Sequence, residues 1–318
     1  MSIHSTRRHL LGVLGAGGLA LGAAACGSSD PFEEEDGSGG DSGSGSSDGG
    51  GSGAAIAIGS QAYYSNEIIA ELFAQALEAE GLTVDRQYQI GQREVYMPEL
   101  ESGALDVLPE YLGNLLQHYD SEAVSATPEE VHSALAEALP DGLRVLDFAE
   151  ATDQDSYTTT ADFASAHSLT AIGDLAGVDE DLTIAANSEF EVRPYGPDGA
   201  KEVYGVDVSV VPVEDSGGPL TVQALVDGDV QLADIYTSDP AIAENDLVVL
   251  EDPESMILPQ NVVPVVSEKI DEAAADAIDA VLAELSADDL VELNRRSTVE
   301  QQSSADIASA WLSEKGLV

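Results

Sequence analysis

Ser216 stands in Asp215-Ser216-Gly217-Gly218-Pro219, and His167 lies upstream of it. A serine hydroxyl activated by a histidine base is the minimum for nucleophilic hydrolysis, so these residues define a remote hydrolase reading. A Gly-Gly-Pro turn before a helix explains the same segment without chemistry. Asp179-Glu180-Asp181 groups three carboxylates but is too short for a calcium loop and reads as the cap of a turn. No HExxH pair, P-loop, dinucleotide fingerprint or GxSxG elbow occurs in the chain. A single cysteine, Cys26, forbids an intrachain disulfide, a Cys-rich zinc site or a thiol redox pair. No metal, no cofactor and no catalytic activity are expected.

The elements that must position any site alternate. Ala54–Ile58 reads as a buried strand ending in Gly59-Ser60. From Ser65 to Glu80, Ile68, Ile69, Leu72, Phe73, Ala76 and Leu77 fall at helical spacing on one face. Strands follow at Thr83–Gln89 and Asp106–Leu108, with a helix over Glu94–Ser102 between them. Thr127 as N-cap with Pro128 at the first helical position opens another helix. Leu143–Phe148, Leu182–Ala186, Asp207–Val213, Gln231–Tyr236, Leu247–Leu250 and Val262–Val266 read as strands, and Asp271–Lys315 as nearly all helix. This order implies an α/β protein of two lobes, each a parallel sheet covered on both faces. Ligands of such sheets bind beyond the carboxyl ends of the strands, which singles out Gly59–Asn66, Asp106–Tyr111 and Tyr236–Asp239.

Sixty acidic against eleven basic side chains give a formal charge of −49. Neutralising phosphates needs clustered Lys and Arg, so no nucleic acid is expected as partner. The carboxylates make a solvated surface suited to concentrated salt. At the N-terminus, Arg7 and Arg8, the apolar stretch Leu10–Leu21 and Ala23-Ala24-Ala25 before Cys26 read as a secretory signal over residues 1–26. Thr6-Arg7-Arg8-His9-Leu10-Leu11 fits a twin-arginine export signal. Leu21–Cys26 resembles a lipoprotein box with Cys26 as the lipidated residue. Residues 27–53 are Gly, Ser, Asp and Glu with no apolar period, a tether spanning roughly 30 Å as a coil.

The strand-end segments resemble one family. Gly59-Ser60-Gln61-Ala62-Tyr63-Tyr64-Ser65-Asn66-Glu67-Ile68 is similar to the opening G-S-K-x-F-T-E-Q-x-I of the substrate-binding proteins of glycine betaine/carnitine/choline ABC transporters. Gly91–Val95 resembles their G-G-R-E-V, Asp106–Asn114 their D-V-Y-P-E-Y-T-G-T, and Glu189–Arg193 their E-F-x-x-R. Ala233-Asp234-Ile235-Tyr236-Thr237-Ser238-Asp239 resembles A-D-A-Y-S-T-D. The likeness runs over residues 55–318 with the motifs in the family's order.

The resemblance implies a two-lobed periplasmic-binding-protein-like fold of type II, with a hinge between a lobe of residues 54–151 plus 256–318 and a lobe of residues 152–255. It implies a monomeric, lipid-anchored receptor outside the cytoplasm that closes on a quaternary-ammonium osmolyte and presents it to ABC permease subunits. Aromatic faces attract such a cation, and an arginine fork takes a carboxylate. Carried over by motif, the cage falls at Tyr63, Leu108, Tyr236 and Gln260, the acid before it at Asp106, the family lysine at Gln61 and the carboxylate anchor at Arg193. Only Tyr63 and Tyr236 of the four cage positions are aromatic here, with Tyr64 and Tyr111 as candidate replacements. Leu108 and Gln260 therefore keep open a second reading, the same receptor for another small zwitterion or amine.

Overall fold

Ile56–Gly59 is buried along its whole length and forms the first strand, β1, because a run without a polar face is stable only with both sides covered. The computed structural model of the protein describes residues 54–124 and 127–318. The signal segment, Cys26 and the tether lie outside the described residues. After β1 come α1 (Tyr64–Ala79), β2 (Val84–Gln87), α2 (Arg93–Glu101), β3 (Val107–Tyr111), α3 (Leu112–Tyr119), α4 (Pro128–Ala138) and β4 (Leu143–Val145). The middle of the chain runs β5 (Thr158–Thr160), α5 (Ala161–His167), β6 (Leu182–Ala186), α6 (Pro197–Gly199), β7 (Val208–Pro212), α7 (Pro219–Val226), β8 (Leu232–Ala233), α8 (Ala241–Glu244) and β9 (Leu247–Val249). It ends with β10 (Val262–Ser267), α9 (Glu272–Glu284), α10 (Ala287–Thr298) and α11 (Ser304–Lys315).

These strands make two five-stranded sheets, ordered β2-β1-β3-β10-β4 and β7-β6-β8-β5-β9. Neither is wholly parallel, which corrects the sequence expectation. β1 pairs in parallel with β2 and β3, and β6 with β7 and β8. β10 runs antiparallel to β3 and β4, and β5 antiparallel to β8 and β9. The reason is where the chain changes sheets. Both crossing segments meet at the carboxyl ends of the parallel strands, where Thr152 bridges Asn261 and the Ala151 carbonyl accepts from the Val262 amide at 3.0 Å. A strand entered from that end must run back against its neighbours, and apolar patterning carries no information about direction.

The first sheet is buried on both faces. Val262 and Val266 of β10 pack with α1 and α9–α11, around Phe73, Leu290 and Trp311. Val263 and Val265 face the other way, into Tyr96, Met97, Leu112 and Leu135 from α2, α3 and α4. Alternation with period two thus assigns each valine to one of two cores. Side chains cap several of the helices, the predicted one at Thr127 among them. Thr127 Oγ1 accepts from the Glu130 amide at 3.3 Å, with Pro128 at the first turn. Asp271, Ser286 and Ser303 accept from Ala274, Asp289 and Asp306 amides at 3.0, 3.1 and 3.2 Å.

Candidate functional site

The carboxyl ends of β1 and β3 face those of β6 and β8 across a cleft, the place that open α/β sheets reserve for ligands. Its turns are held from behind. Asn66, at the start of α1, accepts from the Gln61 amide at 2.9 Å and donates to the Pro109 carbonyl at 3.0 Å, tying the loop after β1 to β3. The cavity between these residues is about 40 Å³, well below the roughly 300–1,000 Å³ typical of small-molecule sites, so a ligand enters only if the cleft opens.

Four of the ten tyrosines line this cleft: Tyr63, Tyr111, Tyr195 and Tyr236. Tyr63 and Tyr236 meet edge to face, with centroids 5.2 Å apart and planes at 65°. Such pairs orient both rings and add about 0.5–1.5 kcal/mol beyond burial. Phe190 steers Tyr195 in the same way, at 5.8 Å and 71°. Burial pushes all four phenols above their ordinary range, so they stay neutral.

Four carboxyl groups join them. Asp153 is 4% exposed; its Oδ1 accepts from Ser238 Oγ at 2.6 Å, while its Oδ2 is buried without a hydrogen-bond partner. Burial pushes this carboxyl up to about 7, against the Ser238 and Ser65 hydroxyls that lower it. Asp155 accepts from Asn114 Nδ2 at 2.7 Å. Burial first, and then the charge of Asp155, hold Asp234 well above the carboxylate range. Glu189 lines the cleft beside them and accepts from Asn187 Nδ2 at 3.2 Å. Two arginines also line the cleft, and both are paired. Arg93 forks onto Glu110 at 2.7 and 2.8 Å, and Tyr96 adds its hydroxyl to Glu110 at 2.6 Å. Arg193 donates from Nη1 to Glu94 at 2.8 Å, across the cleft from the first half of the chain.

Of the residues expected from sequence, Gln61, Tyr63, Arg193 and Tyr236 are brought together here. Gln61 carries a buried Nε2 with no partner. Asp106, Leu108, Gln260 and Tyr64 are not among the lining residues. Asp106 lies behind β1, accepting from the Ala57 amide at 3.0 Å and Ser267 Oγ at 2.9 Å and pairing with Lys269 at 3.0 Å. Leu108 points to the opposite face of β3 from Val107 and Tyr111 and packs with Tyr96, Met97 and Leu105, an apolar burial of about 1.5–3 kcal/mol. Gln260 acts one step back: its Oε1 accepts from the Asn114 amide and its Nε2 donates to Asn114 Oδ1, both at 3.0 Å. Gly113 makes room for it, since a Cβ there would lie 2.6 Å from Gln260 Nε2. Tyr64 donates to Asp239 Oδ2 at 2.8 Å, away from the cleft.

Tyr195, Arg93 and the acids Asp153, Asp155 and Asp234 escaped sequence reasoning as site residues. Tyr195 had a local signal, an aromatic two residues beyond the expected anchor Arg193. Asp153 and Asp155 had none, because they sit on a crossing segment without periodicity. The hydrolase pair does not form: Ser216 Oγ accepts from Gln92 and Asn187 amides at 3.3 and 3.2 Å, whereas His167 pairs with Glu180 at 3.3 Å.

Residues 54–314 match the family described as the substrate binding domain of ABC-type glycine betaine transport systems. The chain belongs to this family. It is a substrate-binding protein of a glycine betaine/choline-type ABC transporter, which works with membrane permeases, and it is not an enzyme. This binding protein is 23% identical over 276 residues to the glycine betaine-binding protein YehZ of Escherichia coli K12, covering 82% of this chain and 90% of that one. It is 25% identical over 278 residues to a glycine-betaine-binding protein of Pseudomonas aeruginosa, covering 83% and 88%. Its fold is similar to a crystal structure of a glycine betaine/carnitine/choline ABC transporter protein, with TM-score 0.68 and 20% identity over 82% of this chain and 99% of the other. A choline-binding protein of an ABC transporter solved with choline is similar at TM-score 0.58 and 15% identity, over 82% and 89%. The two helix-flanked sheets are the type II periplasmic-binding-protein-like fold expected from the sequence.

Proposed function

We propose that this binding protein captures a small quaternary-ammonium molecule between its two sheets and delivers it to an ABC permease. The observation that carries this reading is the ring of Tyr63, Tyr111, Tyr195 and Tyr236 around one cleft. A trimethylammonium has no N–H to donate, so π-faces are its natural partners, at about 0.5–2 kcal/mol each. Tyr111 and Tyr195 supply the faces that Leu108 and Gln260 lack, which favours a quaternary ammonium over the alternative of an unrelated amine. Gln61, with its free Nε2, is suited to a polar group at the ligand's other end.

The segments 54–151 plus 256–318 and 152–255 act in this reading as lobes, hinged where Thr152 and Asn261 pair. Closure is a population shift driven by ligand contacts with both lobes. The protein works as a monomer outside the cytoplasm, exported by the twin-arginine signal and anchored through a lipid on Cys26. Among the described residues no helix is long and apolar enough to cross a membrane. Isothermal titration calorimetry with glycine betaine, choline and carnitine tests the ligand class. Binding of at least one of them is expected, and no heat from any at millimolar concentration would refute it.

A further inference from the structure

The charges of the cleft do not balance, and the imbalance bears on what it holds. Each guanidinium in it is paired with a carboxylate, Arg93 by two bonds to Glu110 and Arg193 by one, from Nη1, to Glu94. The acids Asp153, Asp155, Glu189 and Asp234 have no ion-pair partner among the described residues. Burial first, and then the neighbouring Asp155, push the Asp234 carboxyl upward, against its ionisation. Asp155 already accepts from Asn114, and Glu189 from Asn187. Asp153 differs: its Oδ2 is buried and unpartnered, beside the ring pair Tyr63–Tyr236.

We propose that Asp153 is a specificity-determining residue, whose free oxygen serves as counter-ion to the ligand's ammonium so that the cleft prefers a small cation without a carboxylate to a zwitterion. This rests on the quaternary-ammonium reading and narrows it. A buried carboxylate is costly unless paired, and an ammonium clasped by tyrosines beside Asp153 provides the pair. A zwitterion brings a further carboxylate beside these acids, where Arg93 is bound twice to Glu110 and Arg193 already shares its charge with Glu94. A hydroxyl at the ligand's other end meets no such cost, and Gln61 Nε2 has no internal acceptor to give up.

Ionisation of Asp153 then controls affinity. The groups facing it are Tyr63 and Ser65 from the entry to α1, Tyr111 from the end of β3, and Tyr236, Ser238 and Asp239 from the segment after β8. The tyrosines are neutral, and Asp239 is itself raised by burial while it accepts from Tyr64. No basic group is among them to hold Asp153 ionised before the ligand arrives.

The test is calorimetric titration of the full chain with choline and with glycine betaine at pH 8 and pH 6, for the wild type and Asp153→Asn. Choline is expected to bind at least tenfold more tightly than glycine betaine at pH 8. It should lose about tenfold on going to pH 6, as the carboxyl takes up its proton. Asp153→Asn should weaken choline by tenfold or more and glycine betaine by clearly less, because the carboxylate attracts the ammonium of both but repels the carboxylate of glycine betaine alone, and it should abolish the pH effect on choline. Glycine betaine binding as tightly as choline, or a variant that weakens both equally, overturns the role of Asp153 while leaving the aromatic site intact. Failure of choline, glycine betaine and carnitine alike to bind refutes the quaternary-ammonium reading and this inference with it. Should the variant not fold, the wild-type preference and its pH dependence decide the matter.

Discussion

Replacing Asp153 with Asn should make the ligand-free protein markedly less sensitive to pH. In the unfolded chain an aspartate titrates near 3.9, whereas in the fold burial pushes Asp153 up to about 7. The folded state therefore holds a proton that the unfolded state has lost throughout this window. A raised carboxyl contributes stability that is fully present below the unfolded value and is lost as pH rises through the folded one. With about 1.4 kcal/mol per unit, the loss from this single group between pH 4.5 and pH 8 is about 3 kcal/mol. Asparagine keeps an oxygen for the Ser238 hydroxyl and carries no proton to lose. Its stability relative to the wild type should thus rise by about 3 kcal/mol from pH 4.5 to pH 8. Titrations of the other acids cancel in that difference. Urea unfolding followed by fluorescence of the single tryptophan reads it directly: Trp311 is 2% exposed and donates to Asp289 at 3.0 Å. Burial works against the Asp289 charge, but hydrogen bonds from Ser286, Trp311 and Lys315 prevail and hold the carboxyl down at about 2, so the probe's surroundings do not titrate in the window. A difference that stays flat, or favours the wild type at pH 8, would refute the linkage.

Other perturbations follow from the same contacts. Glu110→Gln strands the Arg93 guanidinium, which is 5% exposed, and should cost about 3–5 kcal/mol in chemical denaturation; exchanging both partners for apolar residues of like volume should recover most of it. Tyr236→Ala removes one π-face and the edge contact with Tyr63, so affinity for a quaternary ammonium should fall by about 1–3 kcal/mol in calorimetry. An equal loss from Tyr204→Ala would contradict that assignment, because Tyr204 packs in the second half against Gly173 and Asp252. Glu94→Gln frees Arg193 from its partner and should raise affinity for glycine betaine while leaving choline nearly unchanged, a shift measurable in the same titrations.

Much of the cleft's framework is legible along the chain. The strand-end motifs after β1, β3 and β8 announce where a ligand can sit, and Tyr63, Tyr236, Gln61 and Arg193 do meet there. The helices read from periodicity and caps, α1, α4 and the final α9–α11, form close to their expected bounds. α3 went unread because its apolar set Leu112, Leu115 and Leu116 spans barely two turns directly after a strand. Leu108 and Tyr111 show the limit most sharply. Three residues apart on one strand, they face opposite sides, and a motif position does not reveal which side looks into the cleft.

The sequence alone determined the alternation of elements, the acidic surface, the order of the family motifs and the residue types available for a cage. Each of these is a local property, set by composition, period or capping within a few residues. Tertiary structure decided the direction of β5 and β10, the recruitment of Tyr111 and Tyr195, and the engagement of both arginines by glutamates. It also decided that Asp153 would be buried with one oxygen free. These features arise between segments distant along the chain, where packing and desolvation act only after the two sheets have formed.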